Sequence, residues 1–241
     1  MRPVVRTFIR GFDGELGGGI PQGQVVLLRG ATGTMKSSLA YSILYHNAQK
    51  GMKGLYVTLE QDASSLLHQM AALGFKPAAV SDSIPVLDLG KGRAHLERLA
   101  EKVKGLDVAR TDRPLTAILK AKVQQLRKEF GIDLLVIDSW NALELVLEFQ
   151  DRRRETFDFF EWLRGLGTTT FLISEAPSGP EDGLEEEFLS DAILRLRIEP
   201  VSETAFQRRI QCSKMRSADH SSDFFTLVFD GERFEAAKAI S

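Results

Sequence analysis

The sequence predicts an α/β fold in which a mainly parallel central sheet is flanked by helices and continues into an antiparallel C-terminal extension. Three observations predict it. Uninterrupted apolar runs, Val25-Val26-Leu27-Leu28, Leu134-Leu135-Val136-Ile137 and Phe171-Leu172-Ile173, read as strands buried on both faces. Segments with helical spacing separate them, the alternation expected of parallel strands joined by crossover helices. From about residue 192 the pattern changes: segments 192–199, 205–214 and 224–229 mix apolar with charged residues, as antiparallel strands or hairpins do.

In chain order, the run 25–28 enters the loop Gly30-Ala31-Thr32-Gly33-Thr34-Met35-Lys36-Ser37-Ser38, and residues 38–44 leave it with helical character. Residues 54–59 form a second strand ending at Glu60, followed by a helix with Leu66, Met70 and Leu73 on one face. A short strand is expected at 84–87, then a charged helix near 93–104 and a polar loop around 110–114. Leu119, Val123, Leu126 and Phe130 recur at i, i+4, i+7 and i+11, the stripe of one amphipathic helix. Strand 134–137 ends in Asp138, a helix near 151–166 directs Phe159, Phe160, Leu163 and Leu166 inward, and strand 171–173 ends at Ser174-Glu175. With no linker, repeat or shift in composition, residues 1–241 read as a single domain.

A chain that is 43% hydrophobic and 27% charged is an ordinary globular one, and a net charge of −2 supplies no general attraction to nucleic acid or anionic membrane. Cys212 is alone, which excludes a disulfide framework and a cysteine metal site, and His46, His68, His95 and His220 form no ligand pair. No apolar run approaches the ~18 residues of a membrane span, and the N-terminus has no apolar signal region. A cytoplasmic location without membrane contact is the expectation.

The loop matches G-x-x-x-x-G-K-[ST] at Gly30, Lys36 and Ser37, with Met35 in place of the second Gly. A strand–loop–helix of this kind aims backbone N–H groups and a helix N-terminus at an anion. Gly30, Thr32, Gly33, Thr34, Met35, Lys36, Ser37 and Ser38 are therefore candidate nucleotide-binding residues, with Lys36 on the outer phosphates and Ser37 as a ligand of Mg²⁺. In open α/β sheets the ligand lies beyond the carboxyl ends of the strands. Asp138, after four apolar residues, has the form of a Walker B acid that would hold Mg²⁺ through water beside Ser37. Glu60 is the candidate to orient or deprotonate an attacking water. Ser174 or Glu175 could sense the γ-phosphate from the next strand end.

Taken together these residues resemble the KaiC-like branch of the RecA superfamily of P-loop ATPases. The resemblance rests on Gly11-Phe12-Asp13-Gly14-Glu15-Leu16-Gly17-Gly18-Gly19-Ile20-Pro21-Gln22-Gly23, on Tyr56-Val57-Thr58-Leu59-Glu60, on Val136-Ile137-Asp138-Ser139 and on Lys214-Met215-Arg216-Ser217-Ala218-Asp219-His220, which is similar to a K-x-R-x-x-x-H strand motif. It implies a RecA-like fold and an ATP-hydrolysing, Mg²⁺-dependent regulatory ATPase that exchanges ATP for ADP as a homo-hexameric ring with nucleotide between subunits. It also implies that Lys214 and Arg216 act as catalytic cations on a neighbour's nucleotide, with His220 nearby. Residues 214 and 216 of a strand share one face, so both could serve one site. Three positions depart from the family pattern: Gln61 replaces a second glutamate, Ser217 a glycine and Met35 the loop glycine. A Cβ at position 35 costs on the order of 1 kcal/mol if the backbone there needs φ > 0.

Two other functions compete. A recombinase-like ATPase would hold DNA on the loops after Asp138 and Glu175; Arg152-Arg153-Arg154 favours this. The 176–191 loop opposes it, carrying Glu181, Asp182, Glu185, Glu186, Glu187 and Asp191 without a single Lys or Arg. DNA binding is thus disfavoured. A non-hydrolysing nucleotide sensor is the third reading, motivated by Met35 and Gln61.

Overall fold

The computed structural model describes residues 3–89, 114–176 and 185–238. The helix expected near 93–104, most of the 110–114 loop and residues 177–184 of the acidic loop lie outside the described residues. A short antiparallel pair, β1 (Val4–Val5) and β2 (Ile20–Pro21), precedes β3 (Val25–Gly30), α1 (Lys36–Ala48), β4 (Gly54–Thr58), α2 (Ala63–Ala72) and β5 (Val86–Asp88). Then come α3 (Pro114–Phe130), β6 (Leu134–Asp138), α4 (Trp140–Leu147), α5 (Arg152–Leu166), β7 (Thr169–Glu175) and α6 (Glu185–Leu189). Four strands finish the chain: β8 (Ala192–Pro200), β9 (Phe206–Met215), β10 (Phe225–Phe229) and β11 (Phe234–Lys238).

One sheet of nine strands runs in the order β11-β10-β9-β8-β3-β7-β6-β4-β5. The six strands from β8 to β5 are parallel, and β9, β10 and β11 add to the β8 side antiparallel. The expected α/β class and its C-terminal extension are both present. The pleat explains the apolar runs. In β3, Val26 and Leu28 join one core and Val25 and Leu27 the other; in β6, Leu134 and Val136 are split from Leu135 and Ile137 in the same way. The first core is closed by α1, α2 and the N-terminal residues Val5, Ile9, Phe12 and Leu16, and the second by α3, α4 and α5. Helix α1 is buried nearly all round because it lies between sheet and N-terminal segment, which is why no polar face is visible in its sequence.

Two expectations need adjusting. Helix α4 was not anticipated: Trp140, Leu143 and Leu147 bury one face, and Ser139 caps its N-terminus by accepting from the Ala142 N–H. Phe130 ends the α3 stripe but is 37% exposed, while Leu119 and Val123 are buried. Among the described residues no helix is long and apolar enough to cross a membrane.

Connectivity sets the site. β3 and β4 are consecutive parallel strands with β7 and β6 inserted between them, and β8 lies on the other side of β3. The loops leaving β3, β4, β6 and β7 therefore converge at one edge, where Gly30 faces Glu175 and Thr58 faces Asp138.

Candidate nucleotide-binding site

The loop after β3 is held from within. Thr34 Oγ1 donates to the Ala31 carbonyl at 2.7 Å. Gly30 is required by close approach, since a Cβ there would stand 2.5 Å from the Leu196 carbonyl oxygen of β8. Met35 adopts φ 69°, ψ 30°, directly before α1, and its side chain packs against the first core rather than into the loop. The left-handed conformation that the missing glycine raised as a question is thus present. Lys36 is 9% exposed, and its Nζ donates to the carbonyls of Gly30 at 2.8 Å and Ala31 at 3.0 Å. Burial lowers its pKa, although Glu175, Asp138 and Glu60 pull it upward. Among the described residues it makes no ion pair.

Asp138 is 4% exposed at the end of β6. The Tyr56 hydroxyl donates to its Oδ2 at 2.5 Å, and the Ser37 side chain lies beside it. Burial raises the Asp138 pKa and Glu60 adds to the rise, while Tyr56, Ser37 and Lys36 oppose it. The Asp138–Ser139 peptide is cis. Ser139 Oγ donates to Glu60 Oε1, so the residue that caps α4 also fixes the carboxylate beyond β4. Gln61 Nε2 lies 3.4 Å from Gln69 Oε1 on α2, and Gln69 itself lines the cleft at this edge of the sheet. Glu175 takes part through both backbone and side chain: its N–H donates to Asn141 Oδ1 at 2.9 Å, and its Oε1 accepts from Thr32 Oγ1 at 3.2 Å.

A cleft of about 380 Å³ brings together Thr32, Gly33, Met35, Lys36, Ser37, Ser38, Glu60, Asp138 and Glu175, with Gly30 and Thr34 forming the base of the loop behind them. The site fits its expected occupants. A desolvated lysine without an ion pair, beside a helix N-terminus, suits phosphate. A hydroxyl and a carboxylate lining the same cleft, Ser37 and Asp138, are hard oxygen donors suited to Mg²⁺. A family model described as "ATPase: KaiC" matches residues 5–232.

The chain belongs to the KaiC ATPase family. A UPF0273 protein of Aeropyrum pernix is 30% identical over 90% of this chain and 86% of its own length. The circadian clock oscillator protein KaiC of a Picosynechococcus strain is 29% identical over 94% of this chain, which spans only 43% of that protein. The crystal structure of a KaiC-like protein from Pyrococcus horikoshii superposes with a TM-score of 0.80 at 26% identity, covering 98% of this chain and all of the other. The fold is accordingly the KaiC-like form of the RecA fold.

Four of the candidate residues lie away from this KaiC-family chain's own cleft: Ser174, and Lys214, Arg216 and His220, which the resemblance assigns to a neighbour's nucleotide. Ser174 is fully buried on the other face of the sheet, its Oγ 3.5 Å from Glu186 Oε1, so of the two sensor candidates only Glu175 faces the cleft. Lys214 and Arg216 stand at the opposite end of the sheet. Lys214 pairs with Ile193 near the start of β8, whereas Gly30 pairs with Leu196. Both do share one face: Lys214 Nζ and Arg216 Nη2 each donate to the Phe188 carbonyl at 3.1 Å. Ser217, the other substituted glycine, is also left-handed, with φ 67°. His220 lies in the following loop, which rests on the N-terminal turn through Ser221 N–H to the Glu15 carbonyl at 2.9 Å.

One cleft residue was missed. Arg208, exposed on β9, lines the cleft and donates through Nε to the Gly33 carbonyl at 3.3 Å. The only sequence signal was a basic pair, Arg208-Arg209, at the start of a strand whose hairpin partner could not be placed.

The acids of the 176–191 loop also need rereading. Glu186 and Glu187 are buried rather than solvated. Arg152 Nη2 bonds Glu186 at 3.0 Å, Arg195 Nη2 bonds Glu187 at 3.0 Å, and Arg29 of β3 pairs with Glu187 as well. Arg153 lies 3.6 Å from Glu185 and Arg154 4.0 Å from Asp158. Within the arginine run that favoured DNA, Arg152 is paired with carboxylates of the same chain, while Arg153 and Arg154 remain largely exposed.

Proposed function

We propose that this KaiC-family chain binds Mg·ATP in the cleft and hydrolyses it as an oligomer, with nucleotide between subunits, acting as a regulatory ATPase. The observation that carries the reading is Lys36: a buried cation that makes no ion pair among the described residues, in one cleft with Ser37, Asp138 and Glu60. The loop N–H groups and Lys36 bind the phosphates, and Ser37 and Asp138 hold the metal ion. Bound there, Mg²⁺ neutralises charge on the phosphate oxygens. Glu60, oriented by Ser139, takes the proton of a water whose oxygen attacks the γ-phosphorus; the bond to the bridging oxygen breaks, leaving ADP and phosphate. Glu175, through Thr32, is placed to respond to the outer phosphate.

Arg208 supplies a cation from the same chain. Lys214 and Arg216, which a chain cannot bring to its own cleft, would serve a neighbour's.

Phosphate release by the wild type beside Lys36→Ala, Glu60→Gln and Arg208→Ala tests the reading. Lys36→Ala should lose nucleotide binding. Glu60→Gln should bind as the wild type does and turn over about 10²–10⁴-fold more slowly. Arg208→Ala should bind more weakly. Equal rates in all four proteins would overturn the catalytic assignment, and binding with no turnover in the wild type would favour the sensor.

A further inference from the structure

Tyr56 stands in the middle of the strand that leads to Glu60, yet its hydroxyl serves a different strand. Its ring is fully buried, with the Tyr41 ring 6.2 Å away, Val86 of β5 on one side and Val136 of β6 on the other. The hydroxyl donates to Asp138 Oδ2 at 2.5 Å, the length of a bond from a neutral O–H to an ionised oxygen. Ser37 lies beside both groups, so Ser37, Asp138 and Tyr56 form one polar cluster at the base of the cleft. Packing alone does not need this hydroxyl, because phenylalanine would fill the same space among Tyr41, Val86 and Val136.

A carboxylate at a strand end can rotate about its Cβ–Cγ bond. With Oδ2 held by a donor on a rigid neighbouring strand, that rotation is fixed. We infer that Tyr56 is a positioning residue for the divalent metal: it holds Asp138 in the one orientation that, with Ser37, presents oxygen donors to the Mg²⁺ of Mg·ATP. This rests on the nucleotide reading above. Donors behind a metal's ligands commonly alter metal affinity about 10–100-fold when removed.

The test is Mg²⁺ dependence of binding rather than turnover. A fluorescent ADP is titrated against wild type, Tyr56→Phe and Tyr41→Phe, first in EDTA and then across Mg²⁺ concentrations, with melting followed without nucleotide. Tyr56→Phe should raise the Mg²⁺ concentration for half-maximal tightening about tenfold or more, with affinity in EDTA within about twofold of wild type. Tyr41→Phe removes a phenol from the same aromatic cluster but not from Asp138, and should titrate as the wild type. An unchanged Mg²⁺ midpoint in Tyr56→Phe overturns the inference. Equal shifts in both variants also overturn it, since packing would then be the cause. A wild type that binds ADP without Mg²⁺ dependence overturns the inference but leaves nucleotide binding standing, whereas a wild type that binds no more tightly than Lys36→Ala, titrated alongside, sinks the nucleotide reading itself and the inference with it.

Discussion

Met35 carries a side chain where the phosphate-binding loop turns left-handed, at φ 69°. For a residue with a Cβ that conformation costs about 1–2 kcal/mol. Two features sustain it: the peptide must turn there for Lys36 to begin α1, and the flexible thioether packs against the first core. Met35→Gly should leave stability within about 1 kcal/mol, because relieved strain offsets lost packing. Met35→Ile should lose about 1–2 kcal/mol in urea denaturation, since a β-branched side chain is a far poorer occupant of this region. An isoleucine variant as stable as wild type would mean that the loop does not hold this conformation in solution. The motif pointed to the position because a glycine was missing, but the sign of φ was not legible. The same is true of Ser217, at φ 67°.

At the scale of elements, α6 shows how charge misleads when read along the chain. Glu185-Glu186-Glu187 looks like a solvated acidic run, yet two of the three are buried. Their partners Arg29, Arg152 and Arg195 sit on β3, α5 and β8 and meet only in the fold. Arg29 is 1% exposed, among the described residues its Nε and Nη2 have no hydrogen-bond partner, and its ion-pair partner is Glu187. Removing one member of a buried pair costs about 3–5 kcal/mol, whereas replacing both by apolar groups is often nearly neutral. Glu187→Ala should therefore lower stability by about that amount in chemical denaturation, and Arg29→Met combined with Glu187→Leu should recover most of it. A single variant as stable as wild type would show the cluster to be solvated after all.

Over the whole molecule, β9 separates two kinds of cation. Arg208 reaches the chain's own loop, and Lys214 and Arg216 begin about 20 Å farther along at ~3.4 Å per residue, on the opposite edge of the sheet. A residue that distant cannot touch the nucleotide of its own chain. If the proposed assembly is correct, Glu60→Gln and Arg216→Ala are each slow alone, and mixing them should regain activity at interfaces that pair an intact Glu60 with an intact Arg216. A mixture no faster than its components would remove the trans assignment.

By itself the sequence determined the α/β class, the loop and its lysine, the acids at strand ends and the family. Each is encoded locally, in short apolar runs whose last residue faces the ligand edge, and local order survives reading along the chain. Only the tertiary structure decided that Glu175 rather than Ser174 faces the cleft, that Arg208 and Tyr56 join it, that α4 exists, and that the acidic loop is neutralised. Those features depend on strand order and on which face of the pleat a residue occupies. Both are settled by packing between segments far apart in the chain, where a shift of one residue reverses every side chain.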